Sequence, residues 1–442
     1  MAGGGGLRVW SMCEGESQSL GTRTKDRFVT TTTSNREETT ITSAIDTAVA
    51  RLTPQLVATR RYLHQHPELS CQELETSKYL LAQLEAASIP ARLAKDGLGV
   101  IADLDWGSCT AGSPRIALRA DIDALPILDA KTCGYKSQVE GRCHACGHDA
   151  HATMALGAVL AAQATSAHLR SLGLGCRLRV IFQPAEENSF GARAMVAQGA
   201  VDDTQMIFAL HVDPERLAGK VGVRYGALTA NCDEVHILIE GRGGHSARPN
   251  QTDDVIATAA QLVTALYNWL PRSGDCRNPA VFSIGKLAGG QACNVIPDRV
   301  EIMGTLRTTD AATRKTMQRR LREILDGVAA ASGTRITLSI PADDDAVIND
   351  PAAMACLHAA ARGVVGEVGC QIVDMPSMGA EDFGGYMAHA PGAMLRLGAA
   401  IAGRSPSPPL HSTDFDIDEA ALSIGSRILL RAVYEAIGAR QV

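Results

Sequence analysis

Four short apolar runs, at residues 100–104, 116–120, 178–182 and 206–210, alternate with helix-forming stretches in the first half of the chain. That alternation suggests an α/β sandwich built on a largely parallel sheet. Ile45, Val49, Leu52, Leu56 and Val57 recur at helical spacing from about Ser43 onward, and residues 152–165 form an Ala-rich helical stretch between the second and third runs. A second helix is expected to open at Ser70-Cys71-Gln72-Glu73, which has the form of a capping box.

Near Ala227 the pattern changes. Val235, Ile237 and Ile239 alternate with more polar neighbours, a helix fits 253–270, strands fit 281–287 and 300–306, a long helix fits 311–332, and 335–340 closes the set. The order βαββαβ describes a ferredoxin-like α+β insert. The α/β pattern resumes after an Asp-rich turn at 343–345, so the main domain is discontinuous: 44–226, then the insert at 227–341, then 342–442. A chain of 442 residues exceeds what one core usually supports, which agrees with two domains.

Lys and Arg number 42 against 48 Asp and Glu, the signs are mixed along the chain, and the net charge is −6. Nucleic acid and polybasic attachment to membranes are poor fits to that balance, and no apolar run reaches the ~20 residues that span a bilayer. The 12 cysteines are scattered without the density of a small disulfide scaffold, which favours a reducing, cytoplasmic compartment. Residues 1–43, with Gly3 to Gly6 and Thr30 to Thr33, carry Glu14, Glu16 and Asp26 and lack a signal-peptide core; they read as a flexible tail, with an organellar address as the alternative.

The polar residues that could do chemistry follow the apolar runs: Asp121 and Asp123 after the second, Glu186 and Glu187 after the third, His211 after the fourth. Ligands of open α/β sheets sit beyond the carboxyl ends of the strands. To these the chain adds Cys143-His144-Ala145-Cys146-Gly147-His148-Asp149-Ala150-His151 and, after a Pro/Ser-rich loop, Leu410-His411. A Cys-x-His pair, a carboxylate and two more histidines supply enough ligands for two divalent ions, with a second carboxylate left for proton transfer, so a metal-dependent hydrolase is indicated. Cys146 stands before a helix, where a thiolate is favoured and could bridge two ions. Pairing of Cys143 with Cys146 as a redox Cys-x-x-Cys is the competing reading, and it accounts for no Glu-Glu pair. His144 and His151 read as structural or as supports behind the ligands. Asp121 and Asp123 could orient a ligating histidine or could be turn carboxylates. In the insert, glycine-flanked His245 and Asn294 could serve as oxyanion donors on a mobile lid.

With those residues assembled, the chain from about Ser43 onward resembles the hippurate hydrolase and auxin-conjugate amidohydrolase branch of the aminoacylase-type dinuclear metallopeptidases. The motifs are Leu63-His64-Gln65-His66-Pro67-Glu68-Leu69-Ser70, the segments 119–126, 144–151, 183–187, 243–249 and 294–297, and Met378-Gly379-Ala380-Glu381-Asp382-Phe383. The resemblance implies a zinc-peptidase-like α/β catalytic domain with an inserted lid that also dimerises. It implies Cys146, His148, Glu187, His211 and His411 as metal ligands and Glu186 as general base and acid. It further implies His245 and Asn294 as lid residues acting on the substrate, Arg307 as a carboxylate anchor and Glu381 beside the substrate. A homodimer whose lid histidine reaches the partner's site is the expected assembly. Other branches place a metal-binding histidine where Asp121 stands, so His148 takes over that ligand here.

The expected reaction is hydrolysis of an N-acyl amino acid, with a carboxypeptidase or dipeptidase as the enzymatic alternative and a metal- or ligand-binding relative as the non-enzymatic one. Retention of Glu186 and all five ligand candidates argues against the last. Thiolate and imidazole suit Zn²⁺, and a mixed site also takes Mn²⁺, Co²⁺ or Ni²⁺.

Overall fold

The computed structural model describes residues 29–341 and 343–438. The chain divides into two units, residues 1–40 and 41–442, and the sheets and sites below belong to the second. The first helix runs Val29–Gln65. No glycine or proline interrupts the sequence from Val29 to Thr53, so nothing in the backbone breaks a helix there. The stretch expected as a flexible tail is therefore helical from Val29 onward, and residues 1–28 lie outside the described residues.

The next helix, Leu74–Ala86, begins without the expected capping box: Glu73 occupies its N-cap and makes no side-chain cap. Ser70 is committed elsewhere, its hydroxyl donating to Asp123 Oδ2 at 2.7 Å. Glu68 takes the capping task and accepts the N–H groups of Glu75 and Thr76 at 3.2 and 2.8 Å.

Eight strands make the main sheet. Its middle is parallel, in the spatial order Gly175–Gln183, Arg115–Asp121, Thr204–Leu217, Gly392–Ala400. Such strands are covered on both faces and read as continuous apolar runs; six of the seven positions of Arg115–Asp121 are buried. The flanks depart from the expected parallel sheet. Val100–Gly107 adds an antiparallel strand on one side, and Ala91–Leu93 pairs antiparallel with it because residues 94–99 are too few for a crossover. On the other side Val221–Val223 runs antiparallel to Gly392–Ala400 and pairs in parallel with Cys370–Ile372. The Ala-rich helix, His148–Ser171, packs against both the sheet and the Ala420–Gly438 helix. Small residues allow that approach: a Cβ on Gly157 would stand 2.4 Å from Ser426 Oγ.

The insert forms its own antiparallel sheet, ordered Ala280–Gly289, Arg299–Thr308, Asn231–Glu240, Arg335–Ser339. Helices Val255–Trp269 and Ala311–Ser332 pack on it, and Val235, Ile237 and Ile239 share a separate core with Leu262 and Leu321. Asp254 and Asp310 cap these helices, accepting the N–H groups of Ile256, Ala257 and Thr313. Asp343–Asp344, expected as a turn, pairs with Asp233 and Cys232 and so extends the insert's sheet. Among the described residues no helix is long and apolar enough to cross a membrane.

Candidate metal centre

The parallel strands carry the site to one rim of the sheet. Asp121 ends the Arg115–Asp121 strand, and Glu186 and Glu187 follow Gly175–Gln183 by a sharp turn at Ala185, whose φ is 55°. A left-handed residue there redirects the backbone, and both carboxylates come to face His148. His211, expected beyond its strand, lies inside it, since Thr204–Leu217 continues past the apolar run. Gly147 sits between Cys146 and His148 with φ 88°, and a Cβ on it would stand 2.4 Å from Val212 Cγ2. Only glycine meets both demands. His411 is tied to the same segment, its N–H donating to Ala145 O at 2.8 Å.

Two sets of donor atoms share one sulfur. Cys146, His148 and His211 form one triad and Cys146, Glu187 and His411 another, the atoms of each lying within 4.8 Å of one another. Cys146 Sγ is 3.6 Å from His211 Nε2, and His411 Nε2 is 3.5 Å from Glu187 Oε1. His148 Nε2 stands 3.8 Å from both Glu187 Oε1 and Glu186 Oε2. Both His148 Nε2 and Glu187 Oε1 are buried without a hydrogen-bond partner, an arrangement that is costly unless a cation takes the lone pairs.

The histidines are preset for such a cation. His148 Nδ1–H donates to Asp123 Oδ1 at 3.0 Å and His211 Nδ1–H donates to Val212 O at 2.8 Å, which leaves each Nε2 lone pair facing the site. Asp123 also accepts from Ser70 and, at 3.0 Å, from the N–H of Glu187, so one carboxylate holds a ring and the backbone of a second ligand candidate. Asp121 does something different: it accepts from His151 Nδ1 at 2.6 Å and Arg119 Nη1 at 2.7 Å, while His151 Nε2 accepts the N–H of Val212. One thiol, three imidazoles and a carboxylate, two of them carrying orphaned buried atoms, fit a pair of divalent ions.

Burial pushes the Cys146 thiol well above its ordinary value. Burial also opposes charge on His148, yet Asp121, Cys146 and the Asp123 hydrogen bond hold it well above the usual imidazole range as long as no metal ion is bound, and a bound cation would take the place of that proton at Nε2. His211 is pulled well below that range by burial and then by the charge of Arg396. Glu186 is raised well above the carboxylate range by burial and by Glu381 and Asp382.

Several buried groups had no role assigned from the sequence. Arg119 is a hub, bonding Gln183 Oε1 at 2.8 Å, Asp382 Oδ1 at 2.6 Å and Glu381 Oε1 at 3.0 Å. Glu381, expected beside the substrate, borders the cavity and has its charge engaged by Arg119. Beneath the centre, Asp149 Oδ2 accepts from His64 Nδ1 at 2.7 Å and Arg60 Nε at 2.9 Å. His144 is buried with neither ring nitrogen bonded, and burial lowers it to about 4. Cys143 and Cys146 are both free; Cys143 Sγ lies 3.7 Å from Lys131 Nζ, among the His64 and Asp129 side chains and apart from the triads.

A cavity of about 490 Å³ opens on the centre, bordered by Cys146, Glu186, Glu187, His211, His411 and, from the insert, Arg307. His245 and Asn294 do not border it. They lie exposed on the insert, where Gly244–His245 pairs with Val295–Ile296 and Ser246 N–H donates to Asn294 O.

Residues 117–435 match Peptidase family M20/M25/M40. The chain is 35% identical to an N-acetyl-L-cysteine deacetylase of Bacillus subtilis over 86% of this chain and 88% of that one. It is 33% identical to IAA-amino acid hydrolase ILR1-like 4 of Arabidopsis thaliana, over 84% and 83% of the two chains. A solved Bacillus subtilis dinuclear metal binding peptidase superposes with a TM-score of 0.75 at 33% identity, covering 88% of this chain and 99% of the other.

Proposed function

This chain belongs to peptidase family M20/M25/M40, and from that premise we propose that it hydrolyses the amide bond of N-acyl amino acids, releasing a carboxylic acid and a free amino acid. It is a metal-dependent amidohydrolase that takes two divalent metal ions and acts on small substrates. The finer reading is supported by relatives named for removing an acyl group from an amino acid. The hippurate-hydrolase and auxin-conjugate branch is the placement we favour.

The observation that carries the reading is the pair of donor triads sharing Cys146, with Glu186 beside them. Cys146, His148 and His211 would hold one ion, and Cys146, Glu187 and His411 the other. Bound there, the ions would supply Lewis acidity to the scissile carbonyl and to the attacking water. Glu186, beside the triads and bordering the cavity, is placed to take a proton from water and return it to the leaving nitrogen. Arg307 Nη1, which donates to Met378 O at 3.1 Å, keeps further donors for the substrate's α-carboxylate. Asp123 and Asp121 orient their histidines. His245 and Asn294 reach a carbonyl only from another lid position or another copy, so their role is proposed for a homodimer. Zn²⁺ or Mn²⁺ suits the donor set, with Co²⁺ and Ni²⁺ as alternatives. The scatter of the 12 cysteines favours a reducing compartment, which we take as the cytoplasm.

The test is amino-acid release from N-acyl amino acids and dipeptides by protein stripped with chelator and restored with Mn²⁺ or Zn²⁺. Metal-dependent release from the acyl amino acids is expected; release from dipeptides alone would move the assignment to a peptidase.

A further inference from the structure

Arg396 has no part in the roles above. It stands in the Gly392–Ala400 strand in register with His211, so both side chains leave the same face of the sheet. Arg396 borders the 490 Å³ cavity of the metal centre and also an adjoining cavity of about 900 Å³; Ser377 and Leu410 border both as well. The other arginines of the larger cavity are neutralised, Arg216 by Asp213 and Arg404 by Asp414 at 3.1 Å. Among the described residues the side chain of Arg396 has no hydrogen bond or ion pair, and its charge reaches His211. Of the acids bordering the smaller cavity, Glu186 and Glu187 face His148 at 3.8 Å and Glu381 pairs with Arg119 at 3.0 Å. A half-buried guanidinium beside a centre that collects cations is costly until an anion arrives, and carboxylate is the partner its planar fork fits.

Arg307, the other cation of the smaller cavity, is absent from the larger one. The site therefore offers two guanidinium groups, whereas a simple N-acyl amino acid brings one carboxylate. We propose that Arg396 selects substrates with a second carboxylate, N-acyl amino acids whose acyl chain or amino-acid side chain ends in an anion directed toward the larger cavity. This rests on the reading that the site cleaves N-acyl amino acids.

Three substrates separate the possibilities: N-acetylalanine with one carboxylate, N-acetylglutamate with the second on the side chain, and N-succinylalanine with it on the acyl group. Mn²⁺-restored enzyme is expected to favour one of the latter two over N-acetylalanine by about tenfold or more in kcat/KM, mostly through KM, the scale of one charge-assisted hydrogen bond. Whichever is favoured identifies the source of the anion. Arg396→Leu should abolish the preference and Arg396→Lys should keep part of it. Equal or better cleavage of N-acetylalanine by the wild type overturns the inference and leaves the parent reading intact, as does an unchanged preference in Arg396→Leu. Absence of release from all three overturns the parent reading and the inference with it.

Discussion

Glu186 and Asp123 have separable tasks at the residue scale. Glu186→Gln keeps the shape and loses the proton acceptor, so kcat should fall by about 10²–10⁴-fold with metal content unchanged; loss of metal in step with activity would make Glu186 a ligand instead. Asp123→Asn weakens the acceptor that fixes the His148 tautomer and holds the N–H of Glu187. Metal affinity should drop by about 10- to 100-fold, measured by competition with a chelator. His64 offers a pH signature. Flanked by Asp149 and Asp129, it is raised from 6.5 to about 10, the carboxylates outweighing burial. A raised basic group contributes fully below its unfolded value, so its stabilisation should be intact below pH 6.5 and be lost as the pH rises toward about 10. Denaturant titrations across that range should show this slope in the wild type and not in His64→Gln.

Elements decide how much was legible in advance. The parallel core, the insert's βαββαβ order and the delivery of Asp121, Glu186 and Glu187 to one rim follow from apolar runs whose ends are visible in the sequence. What escaped was long-range. Arg119 bonds Asp382 across 263 positions and Arg60 bonds Asp416 across 356, and no local period announces such partners, although Arg119, Gln183 and Asp382 all stand inside the motifs that carried the family resemblance. The capping box failed for the same reason: Ser70 was claimed by Asp123, 53 residues away. Gly147 shows the reverse, a local feature with distant consequences. Gly147→Ala would place a methyl against Val212 at a φ that alone costs ~1–3 kcal/mol. Since Cys146 and His148 flank it, the variant should lose both stability and metal affinity, seen as a lower melting temperature that added Mn²⁺ restores less than in the wild type.

At the scale of the whole molecule, the insert places Arg307 at the cavity while His245 and Asn294 remain exposed away from it. If lid residues serve the site of a partner copy, mixing inactive Glu186→Gln with inactive His245→Ala should restore part of the activity through mixed dimers; no recovery on mixing would assign His245 to its own chain. The most direct test of the two-ion centre built around Cys146 is metal content measured by mass spectrometry during restoration of the stripped protein, alongside amino-acid release. Two equivalents per chain are expected, with activity following the second and both lost in Cys146→Ala. Binding of one equivalent with full activity, or full activity in the stripped protein, would contradict it.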